Sequence, residues 1–234
     1  MKSTQQTLPP QDEVRHILQR YDLAQAFNLA HTYEELRGLK IQPEFILALL
    51  EVFEDPRVFQ AESFQHFNLQ TIIDYLHKTH AYYMDKKLPE IEQSIHLLMN
   101  VYPDKHPLLL LLNTFYLDYR NHLGHHIEAE EKELMPYIER LEQKAAGEDT
   151  TLSPSTLSVQ QFIEQHHDTE KDLEDIRNTI LHYSPPAESE TLYRILLSQL
   201  QVLETDLAIH ALIEDKVLLP RALALEKKMT GIKA

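Results

Sequence analysis

The chain has 234 residues, four glycines, no cysteine and a formal net charge of −15 with histidine neutral. The lack of cysteine excludes disulfides, thiolate metal ligands and cysteine nucleophiles. The acidic balance, with lysines scattered, argues against nucleic acid, whose backbone is held by basic patches.

The low glycine count and the absence of a convincing alternating segment predict an all-α protein. Residues 1–10 read as a polar tail ending in Pro9-Pro10. Its N-terminus lacks the basic-then-apolar order of a secretion signal, so a cytoplasmic location is expected. Short helical stretches follow around Val14 to Tyr21, Ala24 to Ala30, Tyr33 to Leu36 and Pro43 to Phe53. They make residues 1–60 a small helical N-terminal module, with Glu54 to Glu62 as a linker. Residues 69–228 then read as a four-helix bundle. Helix A is expected from Leu69 to Asn100, with Ile73, Leu76 or His77, His80, Met84, Leu88, Ile91, Ile95 and Leu98 inward and a kink at Pro89. Helix B runs from about Pro107 to Lys144, with Phe115, Tyr119, His122, His126, Glu130, Leu134 and Tyr137 on one stripe. Its apolar patch Leu108 to Leu112 is far too short to span a membrane, and no membrane partner is expected. Helix C covers about Ser155 to His182, with Phe162, Ile163, His166 or His167, Glu170, Leu173 and Ile176 inward. Helix D covers about Glu188 to Lys228, with Leu196, Leu200, Leu203, Leu207, His210, Glu214 and Val217 inward. Short connections between four long helices predict an antiparallel bundle, in which B and D run in the same direction and can sit diagonally opposed.

One pattern occurs twice. His126 to Pro136 and His210 to Pro220 both read His-x3-Glu-x-Lys-x-Leu-x-Pro. Residues i and i+4 share a helix face, so each copy aims an imidazole and a carboxylate the same way. His122, His126 and Glu130 are spaced i, i+4, i+8, and Asp206, His210 and Glu214 repeat that spacing with an acid first. Helices A and C add the pairs His77 with His80 and His166 with His167. One such pair on a helix is usually a surface contact; its repetition, beside inward histidines, favours metal. Buried imidazoles and carboxylates are costly unless paired or coordinated, and two facing glutamates repel. Two cations remove both problems, with Glu130 and Glu214 bridging and histidines terminal. Mixed N and O donors suit iron, manganese or zinc. Glu128, Glu131 and Glu133 read as solvated face, His31, His66, His96 and His182 as surface or packing residues, and Tyr83 and Tyr119 as core aromatics or donors to the ligands.

These residues resemble the hemerythrin-like domain, and within it the di-iron proteins that repair iron–sulfur clusters. Ile72-Ile73-Asp74, Leu88-Pro89-Glu90, the His126 block, His167-Asp168 and His210 through Leu223 carry the resemblance over about residues 70 to 225. Tyr21-Asp22 and Tyr33 to Leu50 resemble the family's small N-terminal domain, but the family's Cys-Cys pair is replaced by Leu23 to Phe27. The resemblance implies a hemerythrin-like four-helix bundle holding two iron ions, with manganese or zinc as alternatives. It implies His126, Glu130, His167, His210 and Glu214 as metal ligands. Two family ligands fall on Ala81 and Tyr102. His80 is the substitute in helix A, ahead of His77; His122 is a further ligand in a rearranged shell. Tyr102, His106, Tyr119, His166 and Asp206 are secondary candidates. The implied partners are oxygen or nitric oxide and iron–sulfur proteins, and a homodimer is left open. The implied role is repair or protection of iron–sulfur clusters under nitrosative or oxidative stress. A diatomic-gas or redox sensor or carrier without turnover, and a metal-poor helical interaction protein, are the alternatives.

Overall fold

A computed structural model describes residues 17–21, 42–101, 107–148, 158–165, 176–178 and 190–230. Every regular element among them is helical, and the chain is an all-α helical bundle. It divides into two compact units, Met1–Thr79 and His80–Ala234.

In the first unit, α1 (Pro43–Glu54) starts on a proline whose fixed φ suits the first helical turn. It stops at Asp55, which is extended (φ −146°, ψ 98°) because Pro56 crowds the α region of the residue before it. The Asp55 side chain accepts from the Arg57 backbone N–H, so the expected linker is ordered into two short 3-10 turns, Pro56–Val58 and Ala61–Phe64. Asn68 then caps α2 (Leu69–Tyr82): its Oδ1 accepts from the Thr71 backbone N–H at 2.6 Å. Phe45 is buried at the centre, edge-on to Phe64, Phe67 and Tyr75 with centroids 5.9, 5.1 and 5.6 Å away. Arg20 is also buried and donates to the Tyr75 hydroxyl (2.9 Å) and to Thr79 Oγ1 (3.0 Å). The stretches expected at 24–30 and 33–36 lie outside the described residues.

The second unit holds the bundle helices, and helices A, B and D are each interrupted. Helix A continues from α2 through a π-helical turn, Tyr83–Lys87, into α3 (Leu88–Val101). Helix B is α4 (Pro107–Ala129), a π turn at Glu130–Leu134, and α5 (Met135–Ala145). It ends where Gly147 adopts φ 88° and the Gly147 and Glu148 N–H groups return to Lys144 and Gln143 carbonyls. Helix D is α7 (Glu190–Ile213), a π turn at Glu214–Leu218, and α8 (Leu219–Thr230). Of helix C only α6 (Val159–Gln165) and residues 176–178 are described.

The three π turns share one cause. Each is followed by a proline six residues after its first residue: Pro89, Pro136 and Pro220. Proline has no N–H, and its ring crowds the carbonyl four residues back. A wider turn just before it opens the ladder: the Leu88, Met135 and Leu219 N–H groups return five residues, to Tyr83, Glu130 and Glu214. The kink expected at Pro89 is therefore a π turn, and Pro136 and Pro220 follow turns of the same kind.

α3 packs against both α4 and α7, with Ile91, Ile95, Leu98, Leu112, Tyr116, Leu196, Leu200 and Leu203 in the shared core. The expected diagonal placement of B and D is not kept at the far end. There α8 packs directly on α5, because both turn apolar residues inward, and the Tyr137 hydroxyl donates to Glu226 Oε1 at 2.8 Å. The expected stripe of helix B is also offset. Phe115 is exposed, while Leu112, Tyr116, Tyr119, Leu123 and Ile127 are buried. Ile163 of helix C is likewise exposed, beside buried Phe162.

Candidate metal centre

The motif residues meet at the π turns. Among the described residues, two groups hold ligand atoms within 4.8 Å of one another: His80, Glu130 and His210, and His126, Glu130 and Glu214. Glu130 is in both. Helix A supplies His80 from the last turn of α2, one residue before exposed Ala81. His126 closes α4, Glu130 opens the next π turn, His210 closes α7, and Glu214 opens the last π turn.

The distances are those of donors converging on common points. His80 Nε2 lies 3.0 Å from Glu130 Oε2 and 2.9 Å from His210 Nε2, and His126 Nε2 lies 2.6 Å from Glu130 Oε1. Two donors about 2.1 Å from one cation and at right angles to each other are about 3.0 Å apart. His210 Nδ1 is 3.9 Å from Glu214 Oε2, so its other nitrogen serves the contact with His80. Glu130 is fully buried, Glu214 and His80 are almost so, and the His126 side chain keeps 16 % of its surface exposed.

This cluster is electrostatically tense without a cation. Burial pushes the Glu214 carboxyl well above the ordinary carboxylate range, and the charges of Glu130 and Asp215 and a hydrogen bond with Glu130 push it further. Burial alone would lower the His80 imidazole. Hydrogen bonds that the ring donates to Glu130 and Glu131, and the charges of those carboxylates, outweigh it and raise the imidazole to about 8. A divalent cation inverts both preferences, since it requires ionised carboxylates and a bare imidazole nitrogen. Three imidazoles and two carboxylates, without thiolate, form a donor set that fits iron, manganese or zinc.

Several expected participants stand elsewhere. His122 is exposed and joins neither group. The reason is helical drift: each i+4 step rotates a side chain about 40° around the axis. Going back from fully buried Glu130, His126 reaches the edge of the buried arc and His122 passes beyond it. His77 is half-buried and also joins neither group. Tyr119 is buried in the core. Asp206 is buried and accepts from the Tyr83 hydroxyl at 2.8 Å, while the Tyr83 ring sits 6.0 Å from that of His210. Tyr102, His106, His166 and His167 lie outside the described residues.

Two features escaped the sequence reading. Glu131, read as solvated face, has its Oε1 2.6 Å from His80 Nδ1. The π turn is the reason: an added residue turns two successive glutamates, Glu130 and Glu131, toward His80 rather than one. In addition, helix A shares the π turn and its following proline with the two motif helices but none of the other motif residues, and its His80 stands one residue after the position that His126 and His210 occupy. Aligned on its proline, Tyr83 stands where the two copies have Glu130 and Glu214. The signal was Leu88-Pro89, which matches Met135-Pro136 and Leu219-Pro220 in place.

No family model matches the chain. The iron–sulfur cluster repair protein ScdA of Staphylococcus haemolyticus is 24% identical over 186 residues, which cover 79% of this chain and 81% of that protein. ScdA of Staphylococcus epidermidis (strain RP62A) is 24% identical over 151 residues, 64% of this chain and 65% of its own length. The iron–sulfur cluster repair protein YtfE of Cronobacter sakazakii is 30% identical over 143 residues, 61% of this chain and 60% of its own. The chain thus spans about four fifths of the first relative, just under two thirds of the second and three fifths of the third. Over most of its length, this chain is similar to bacterial proteins named for iron–sulfur cluster repair.

Proposed function

We propose that this chain is a cytoplasmic non-haem di-iron protein that binds oxygen or nitric oxide and repairs or protects iron–sulfur clusters under nitrosative or oxidative stress. The observation that carries this reading is the sharing of Glu130 between two buried donor groups. The names of the relatives supply the direction toward cluster repair. His80 and His210 would hold one iron and His126 and Glu214 the other, with Glu130 shared between them. His167 is retained as a ligand on the strength of the sequence resemblance. When bound, the iron pair would supply an open coordination position for a diatomic molecule and one-electron exchange.

The chain's own residues do the rest. Burial of Glu130, Glu214 and His80 keeps bulk water from the donors. Asp206 and Tyr83 brace the helix D and helix A sides of the cluster through their 2.8 Å hydrogen bond. The partly exposed His126 edge is where a small ligand from solvent would enter. Damaged clusters on iron–sulfur proteins would be the substrates.

Metal analysis and absorbance spectra after anaerobic purification test the reading, on the native chain and on His210→Ala. About two metals per chain are expected, with charge-transfer absorbance altered by azide or nitric oxide, and a large loss of metal in the variant. Trace metal under reducing, metal-replete conditions would overturn it. Restoration of activity to an enzyme with a damaged cluster tests the repair step itself.

A further inference from the structure

We propose that Glu131 is the positioning residue of the centre: by accepting a hydrogen bond from His80 Nδ1, it turns His80 Nε2 toward the donors it shares with Glu130 and His210. The inference rests on the proposed di-metal reading and deepens it. Three observations carry it. Glu131 Oε1 and His80 Nδ1 are 2.6 Å apart, on different helices. The opposite nitrogen, Nε2, is the one that meets Glu130 Oε2 and His210 Nε2. His80 is 2% exposed, so no solvent competes for Nδ1, whereas Glu131 keeps 31% of its side-chain surface exposed and needs no metal to balance its charge.

The chemistry follows from the two nitrogens of imidazole. A neutral ring has one N–H and one lone pair. A carboxylate on Nδ1 keeps the hydrogen there, so the lone pair is left on Nε2, where a cation would sit. It also fixes the ring plane and raises the donor strength of the ligating nitrogen. The position matters in this chain because His80 reaches the cluster from a helix whose Glu-equivalent residue is Tyr83, so helix A brings one ligand rather than two. That single ligand is the one Glu131 steadies from helix B, and the π turn starting at Glu130 brings Glu131 within reach.

The test compares Glu131→Ala and Glu131→Gln with Glu128→Ala, an exposed neighbour that pairs with Lys132. Iron(II) affinity is read anaerobically by competition with a chromophoric chelator. The charge-transfer absorbance of the oxidised protein and the thermal midpoint of each metal-free chain are read beside it. For Glu131→Ala we expect affinity for one of the two metals to fall roughly 10- to 100-fold, with a shifted absorbance band. Glu131→Gln, which keeps an acceptor oxygen, should lose less, and Glu128→Ala should match the native chain. Metal-free midpoints should be alike in the native chain, Glu131→Gln and Glu128→Ala, while Glu131→Ala, which leaves the buried His80 N–H without its acceptor, should melt somewhat lower. Native loading with about two metals but no greater loss in Glu131→Ala than in Glu128→Ala would overturn this inference and leave the di-metal reading standing. A native chain that binds no metal would overturn both. Equal losses in both Glu131 variants, with lowered metal-free midpoints, would assign the effect to folding and overturn the positioning role.

Discussion

Loading the metal-free protein with a divalent cation should release protons, and the amount can be worked from the site. His80 is raised to about 8 by Glu130 and Glu131 acting against its burial. At pH 7 roughly 0.9 of the molecules would then carry the extra proton, and at pH 8 about half. Coordination through Nε2 expels it, because the hydrogen toward Glu131 remains on Nδ1. Glu214, raised by burial and by the neighbouring charges of Glu130 and Asp215, adds to the release when its carboxyl ionises against the cation. Titration with zinc or anaerobic iron(II), in an unbuffered solution with a pH indicator, measures the release directly. Calorimetry in buffers of different ionisation enthalpy measures it independently. The release should shrink between pH 7 and pH 9, and should drop by about one proton at pH 7 in His80→Gln. A release that is absent, or unchanged in His80→Gln, would refute the account of how the cluster holds its charge.

Three further outcomes follow from the same geometry. His80→Ala should lose metal strongly, while His77→Ala and His122→Ala should stay close to native in a metal-content assay, since neither joins a donor group. Stability of the metal-free chain should fall as pH rises: both His80 and Glu214 bind protons more tightly folded than unfolded, so their contribution is present below pH 6.5 for His80 and is lost through about 8. Thermal melts from pH 5 to 9 check this, and the metal-loaded chain should show the opposite trend because ligands must be deprotonated. Tyr83→Phe removes the hydroxyl that donates to buried Asp206 and should destabilise by about 1–3 kcal/mol in denaturant unfolding.

Helix limits were readable because they depend on local chemistry. Helix A was expected over 69–100 and spans Leu69 to Val101; helix B was expected to begin at Pro107 and does. The caps that set them, Asn68 before α2 and Gly147 after α5, act on residues a few positions away. The inward stripe of helix D was readable throughout, since all seven of its expected residues are buried. The stripe of helix B was not, because a 3.6-residue period leaves neighbouring registers nearly equal in apolar content. Packing against α3 selected Leu112, Tyr116 and Leu123 over Phe115 and His122.

The candidate centre divides in the same way. The doubled His-x3-Glu pattern pointed to His126, Glu130, His210 and Glu214 from spacing alone, because i and i+4 share a face in any helix. Spacing within one helix says nothing about which residues of another helix will face them. That His80 rather than His77 meets His210, that Glu130 alone is common to both groups, and that Glu131 turns inward to His80 all depend on how three helices are rotated about their axes. The rotation is set by π turns that prolines induce and by apolar packing many residues away, and it exists only once the helices are assembled.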